Sequence, residues 1–150
     1  MQGRAQGRNK APIDGRLNKA LEGEDWPLLA LLCKQILRKN SSDLHATRLL
    51  GYALDCLGKV EESLEVYSRG AHVWPNDAEL LINYGNVLLN HVRNTEALPI
   101  LKRVCELRPE KGICWLKLSQ CCYHLTQHEL GFQAAEKSAQ LATDDVERSA

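Results

Sequence analysis

Neither sign of charge is in excess in this chain, where 19 acidic side chains balance 19 basic ones. Without a net field, nothing draws the protein to nucleic acid or to an anionic membrane. Trp26, Trp74 and Trp115 therefore read as packing residues rather than as a base-stacking platform. No apolar run approaches the ~20 residues needed to cross a bilayer, so membrane insertion is not expected. The N-terminus also lacks the apolar core of a signal peptide. Six cysteines in such a chain point to reduced thiols and a cytoplasmic location rather than to a disulfide framework. There is no CxxC pair, and no GxSxG, P-loop, GxGxxG or HExxH motif. The sequence thus gives no reason to expect an enzyme or a cofactor.

What the chain does have is hydrophobic material, at 44% of 150 residues, enough for one ordinary domain. It also has a period. Pro75 and Pro109 lie 34 residues apart, as do Gly51 and Gly85, Glu62 and Glu96, and Leu64 and Leu98. In that register 44–77, 78–111 and 112–145 form three consecutive blocks. A small residue stands at the eighth position of each (Gly51, Gly85, Ser119) and another at the twentieth (Ser63, Ala97, Gly131). The stretch 10–43 fits the same phase more loosely and reads as a degenerate first repeat, with a turn at 23–25 and Pro27 in the first turn of its second helix.

Within a block the local chemistry predicts two helices. In 44–77, Asp43 can cap a first helix running to about Leu57, and Gly58 supplies the permissive turn. A second helix is predicted over 60–73, with Pro75 blocking its continuation. Leu50, Leu54 and Leu57 share one face of the first helix; Leu64, Tyr67 and Ala71 share one face of the second. Each helix has a single apolar stripe, so burial is completed only by stacking on the next pair. Gly51 is expected to face Ser63 and Gly70, letting the two backbones approach closely. Asp77 is the corresponding cap in the next block. Pro99 falls early in a second helix expected from about Thr95, and 113–125 and 129–142 are the helices expected in the last block.

A 34-residue period with this pattern of small residues resembles the tetratricopeptide-repeat (TPR) family over 10–145. The resemblance implies an all-α, right-handed solenoid of antiparallel helix pairs, the TPR superhelix, over 12–145. A disordered basic tail is expected at 1–11, where Arg4, Arg8 and Lys10 meet no acid, and a C-terminal tail at 146–150. Solenoids need a polar terminal element. Only 142–150 remain after Leu141, so Leu130, Ala134 and Leu141 are expected to be partly exposed, with homo-oligomerisation through that uncapped end as one consequence.

The family resemblance also implies a site. First helices line the concave groove, and the inward positions give Arg48, Tyr52, Asn83, Asn86, Asn90, Lys117, Gln120, Tyr123 and His124 as peptide-binding candidates. His45, Asp55, Cys56, Glu79, Ile82, Leu89, Ile113 and Leu116 share those positions. An asparagine amide both donates and accepts, which suits recognition of an extended backbone. Some family members grip a C-terminal carboxylate at five fixed places; Arg48, Asn83 and Lys117 match, while Tyr52 and Ile113 replace an expected asparagine and lysine. Cys121, Cys122, His124 and His128 are clustered in sequence, but a turn near 125–127 separates His128 from the rest, leaving too few ligands for structural zinc. The implied partner is a protein or peptide bound by an adaptor. A small chaperone of the type serving bacterial type III secretion, or the regulatory end of a larger transferase, are the other roles the family suggests.

Overall fold

The computed structural model describes residues 13–149, with side chains described over 15–144. Eight α-helices and no strand occupy the described residues: α1 Ile13–Glu22, α2 Trp26–Lys39, α3 Leu44–Cys56, α4 Val60–Val73, α5 Ala78–Asn90, α6 Asn94–Leu107, α7 Gly112–His124 and α8 His128–Ser149. Each helix packs on the next in chain order, and the first helices α3 and α5 also touch. The basic tail expected at 1–11 lies outside the described residues.

Aspartates start three of the helices. Asp25, Asp43 and Asp77 accept from the backbone N–H of Leu28, Ala46 and Leu80 at 3.0, 2.8 and 2.8 Å, satisfying donors that the helix itself leaves unpaired. At the start of α7 the equivalent residue is Lys111, which makes no such bond. The turn inside every pair adopts the same left-handed conformation: φ is +52° at Glu24, +71° at Gly58, +60° at Val92 and +56° at Thr126. These four residues are spaced by one repeat length, and only Gly58 announces the conformation in its residue type. Val92 and Thr126 are β-branched, which makes a positive φ costly.

The small residues hold the pairs together differently from the expected arrangement. Ser63 does face Gly51, its Oγ donating to the Gly51 carbonyl at 2.7 Å. The space above Gly51, however, is filled by the ring of Tyr67, which a Cβ would meet at 2.5 Å. Gly70 does not face Gly51; a Cβ there would meet Leu80 at 2.8 Å and Thr47 at 3.1 Å. It therefore opens room both for Leu80 of the next pair and for Thr47 of its own. One repeat on, Leu101 stands where Tyr67 stood and lies 2.9 Å from a Cβ built on Gly85. The buried residues form two clusters along this stack, one from Leu17 and Leu29 to Leu54 and the other from Leu64 through Leu101 and Leu118 to Ala134.

Pro99 is the sixth residue of α6, deeper than the first turn. Both it and Thr95, whose carbonyl loses its helical partner, are exposed, so water takes the orphaned acceptor and the helix continues. At the C-terminal end α8 passes the expected stop at 142 and runs to Ser149, through the stretch expected to be a tail. Leu130 and Leu141 are partly exposed as expected, whereas Ala134 is buried. Leu141 packs over Gly112, whose Cβ position lies 3.4 Å from it.

Candidate functional site

The row formed by α3, α5 and α7 carries all nine candidate binding residues. Tyr52 is exposed on α3, with its ring edge-on to Trp26 of the preceding pair at 5.4 Å. One turn earlier, half-buried Arg48 reaches Asp77 Oδ1 at 3.8 Å. That carboxylate already caps α5, so Arg48 is tied into the contact between pairs. The Arg48 carbonyl accepts from the Tyr67 hydroxyl at 3.2 Å, which holds this turn of α3 against α4. Burial raises the pKa of the Tyr67 phenol, and the nearby charge of Asp55 adds to the effect.

On α5, Asn83 and Asn86 are half-buried and Asn90 is exposed. Asn86 Oδ1 is shielded from solvent with no hydrogen-bond partner. An acceptor in that condition costs about 1–3 kcal/mol relative to one that is paired. Ile82 and Leu89 flank it, partly buried. On α7, Lys117 is half-buried and makes no ion pair among the described residues, while Gln120, Tyr123 and His124 are exposed. The Tyr123 and His124 rings meet edge-on at 5.8 Å. Ile113, Leu116 and Tyr123 expose 57%, 41% and 73% of their surface, an unusual density of large apolar side chains on one short helix.

Contacts between pairs neutralise several charges near this row. His91 Nε2 meets Asp55 Oδ1 at 3.0 Å, and Glu79 lies 3.9 Å from Arg108 and 4.0 Å from Lys111. Sequence spacing does not reveal these partners, because His91, Arg108 and Lys111 lie in turns beyond the helix that follows the residue they meet. Of the five carboxylate-gripping places, Tyr52 and Ile113 offer no charge and Arg48 is already paired.

Five of the six cysteines belong to the interior, and Cys56 is exposed. Cys121 and Cys122 are fully buried, and Cys121 Sγ donates to the Asn94 carbonyl at 3.2 Å. Burial pushes Cys121 up to about 11 and Cys33 and Cys105 up to about 12. Such thiols are poor nucleophiles. No group of three or more metal-ligating side chains converges among the described residues. No helix among them is long and apolar enough to cross a membrane.

No family model matches the sequence, and no curated protein matches it. Solved structures do. Residues 41 to the end of MamA from Desulfovibrio magneticus RS-1 superpose with a TM-score of 0.80 at 22% identity, over 86% of this chain and 73% of that one. YrrB, described as a TPR protein with an unusual peptide-binding site, gives 0.75 at 20% identity over 88% and 68%. A further structure of MamA gives 0.79 at 16% identity over 87% and 72%. At these identities the likeness concerns architecture, and with the paired helices, the recurring turn and the 34-residue register it shows that the chain has the tetratricopeptide-repeat fold, an all-α solenoid of antiparallel helix pairs.

Proposed function

We propose that the protein is a non-catalytic binding module whose α3–α5–α7 row holds an extended peptide segment of a partner protein. One observation carries the reading: Ile113, Leu116 and Tyr123 stand exposed on α7, an apolar surface that nothing in the described residues covers. Asn83 and Asn90, on one face of α5, can serve neighbouring peptide groups. Leu116 and Tyr123 would bury peptide side chains, contributing about 25 cal/mol per Å² of apolar surface removed from water. Lys117 supplies the one cation of the row not already paired, which favours an acidic group on the peptide. YrrB, which shares the fold, is described as having a peptide-binding site. An adaptor role fits a surface of this kind, which offers amides and apolar side chains to a partner segment.

Selection from a random display library of linear peptides tests this. Peptides enriched on the wild-type chain should lose at least ~10-fold in affinity, or ~1.4 kcal/mol, with the Asn83→Ala or Lys117→Glu variant. Unchanged affinity with both variants would remove the reading.

A further inference from the structure

Almost every charge on the binding row is neutralised within the protein. Helices α3, α5 and α7 hold four Asp, Glu, Lys or Arg side chains: Arg48, Asp55, Glu79 and Lys117. Arg48 meets Asp77 at 3.8 Å and Asp55 meets His91 at 3.0 Å, while Glu79 lies 3.9 Å from Arg108 and 4.0 Å from Lys111. Lys117 is left over. Its own helix carries no acid, and it forms no ion pair among the described residues.

Apolar surface flanks Lys117 in both directions along α7. Ile113 stands one turn before it, Leu116 beside it and Tyr123 beyond it, and all three are exposed. At 1.5 Å per residue, Ile113 lies ~6 Å and Tyr123 ~9 Å from Lys117 along the axis, on opposite sides. Lys117 is half-buried, and a lysine so placed lays its apolar stem on its neighbours and keeps its charge in water.

This arrangement decides which kind of acid suits the ligand. A chain ending in its carboxylate at Lys117 would leave either Ile113 or Tyr123 uncovered. A chain that continues past the acid covers both and buries apolar surface on each side. The grip that some TPR proteins apply to a chain end is also incomplete here, since Arg48 is paired and Tyr52 and Ile113 carry no charge. A phosphate, with close to two charges at neutral pH, would exceed the single ammonium. A side-chain carboxylate matches it one for one.

We infer that the row selects an internal segment of its partner, in which an Asp or Glu pairs with Lys117 and large apolar residues stand on both sides of that acid. An extended chain advances ~3.3 Å per residue, which sets each apolar residue two or three positions from the acid. The inference rests on the peptide-binding reading of this row and adds its specificity: an acid within the partner chain rather than at its end.

Two random peptide libraries test it, one displayed with a free C-terminus and one held between constant linkers at both ends. Binders should come from the linker-held library, with Asp or Glu enriched between large apolar residues. For a peptide so selected, capped at both ends, exchanging the acid for its amide should weaken binding about 10-fold. On the Lys117→Met variant, which keeps an apolar stem, the acid and amide forms should bind alike. Selected sequences without an enriched acid, binders from the free-C-terminus library alone, or an acid-to-amide loss equal on wild type and Lys117→Met would each overturn the inference. If Asn83→Ala still weakens those binders, the peptide row itself survives. Binders indifferent to both Asn83→Ala and Lys117→Glu, or no binders from either library, would remove the row and this inference with it.

Discussion

At the residue scale, the structure turns on a trade of volume between facing positions. Gly51 pairs with Tyr67, Gly85 with Leu101, and Ser119 with Ala135, so a small residue on the first helix is matched to a filler of falling size on the second. Gly51 and Gly85 were legible as small residues at a fixed place in the repeat. What they face was not, because position 24 of the block changes identity each time and has no period of its own. The two glycines should therefore differ in tolerance. Gly51→Ala drives a methyl into an aromatic ring held at Arg48 and should cost about 1–3 kcal/mol in urea unfolding. Gly85→Ala meets the mobile end of Leu101 and should cost less. An equal cost at both positions would argue against the volume account.

The buried thiols give a second prediction at this scale. Cys33 and Cys105, pushed up to about 12, keep their protons in the folded protein at pH values where an ordinary thiol near 9.0 ionises on unfolding. Below about pH 9 both states are protonated, and the thiols add no pH dependence. Above it the unfolded chain alone releases protons, so stability should fall as pH rises. The urea midpoint measured between pH 8 and pH 10.5 should show that decline, by up to about 1.4 kcal/mol per pH unit for each thiol. A midpoint that is flat or rising across this range would contradict it.

At the element scale, helix starts were legible and turns were only partly so. Asp43 and Asp77 were readable as caps because an aspartate precedes a periodic apolar stretch, and the structure places both carboxylates on the third amide along. Asp25 does the same work but sits in a run of Glu22, Gly23 and Glu24 that reads simply as a turn. The left-handed turn residue was signalled once, at Gly58, and hidden at Glu24, Val92 and Thr126. Tertiary packing overrides local preference there, holding the turn in a conformation its residues disfavour. Val92 buries nothing and adopts φ +60° at 74% exposure. Val92→Gly should therefore stabilise the protein by about 1 kcal/mol, and Gly58→Val should destabilise it by about 1–2 kcal/mol. Thermal melts of the two variants should move in opposite directions. The end of α8 lies beyond the expected 142 because 142–149 continue an existing helix rather than starting one, and no Gly or Pro interrupts 132–149.

At the scale of the whole molecule, the solenoid makes stability additive along its length and leaves its ends unequal. Its α1–α2 end is built from a short helix and a strongly apolar one, and its α7–α8 end carries the exposed Phe132 face. The binding row between them was legible as a set of positions, since the repeat fixes which residues lie on first helices. Its electrostatics were not, because Arg48, Asp55 and Glu79 are engaged by Asp77, His91, Arg108 and Lys111, residues beyond the neighbouring helix that sequence spacing alone does not pair. What remains for a ligand is the amide ladder of α5, the apolar surface of α7 and the charge of Lys117.

The central claim is that the α3–α5–α7 row is the peptide-binding surface, and amide chemical-shift mapping tests it most directly. Titrating a library-selected peptide into the isotopically labelled chain should move side-chain amide signals of Asn83, Asn86 and Asn90 and backbone signals around Leu116 to Tyr123. Phe132 and the α2–α4 surface should stay in place. Shifts confined to α8, or to the groove of Leu37, Val66 and Trp74, with the three asparagines unmoved, would contradict the account.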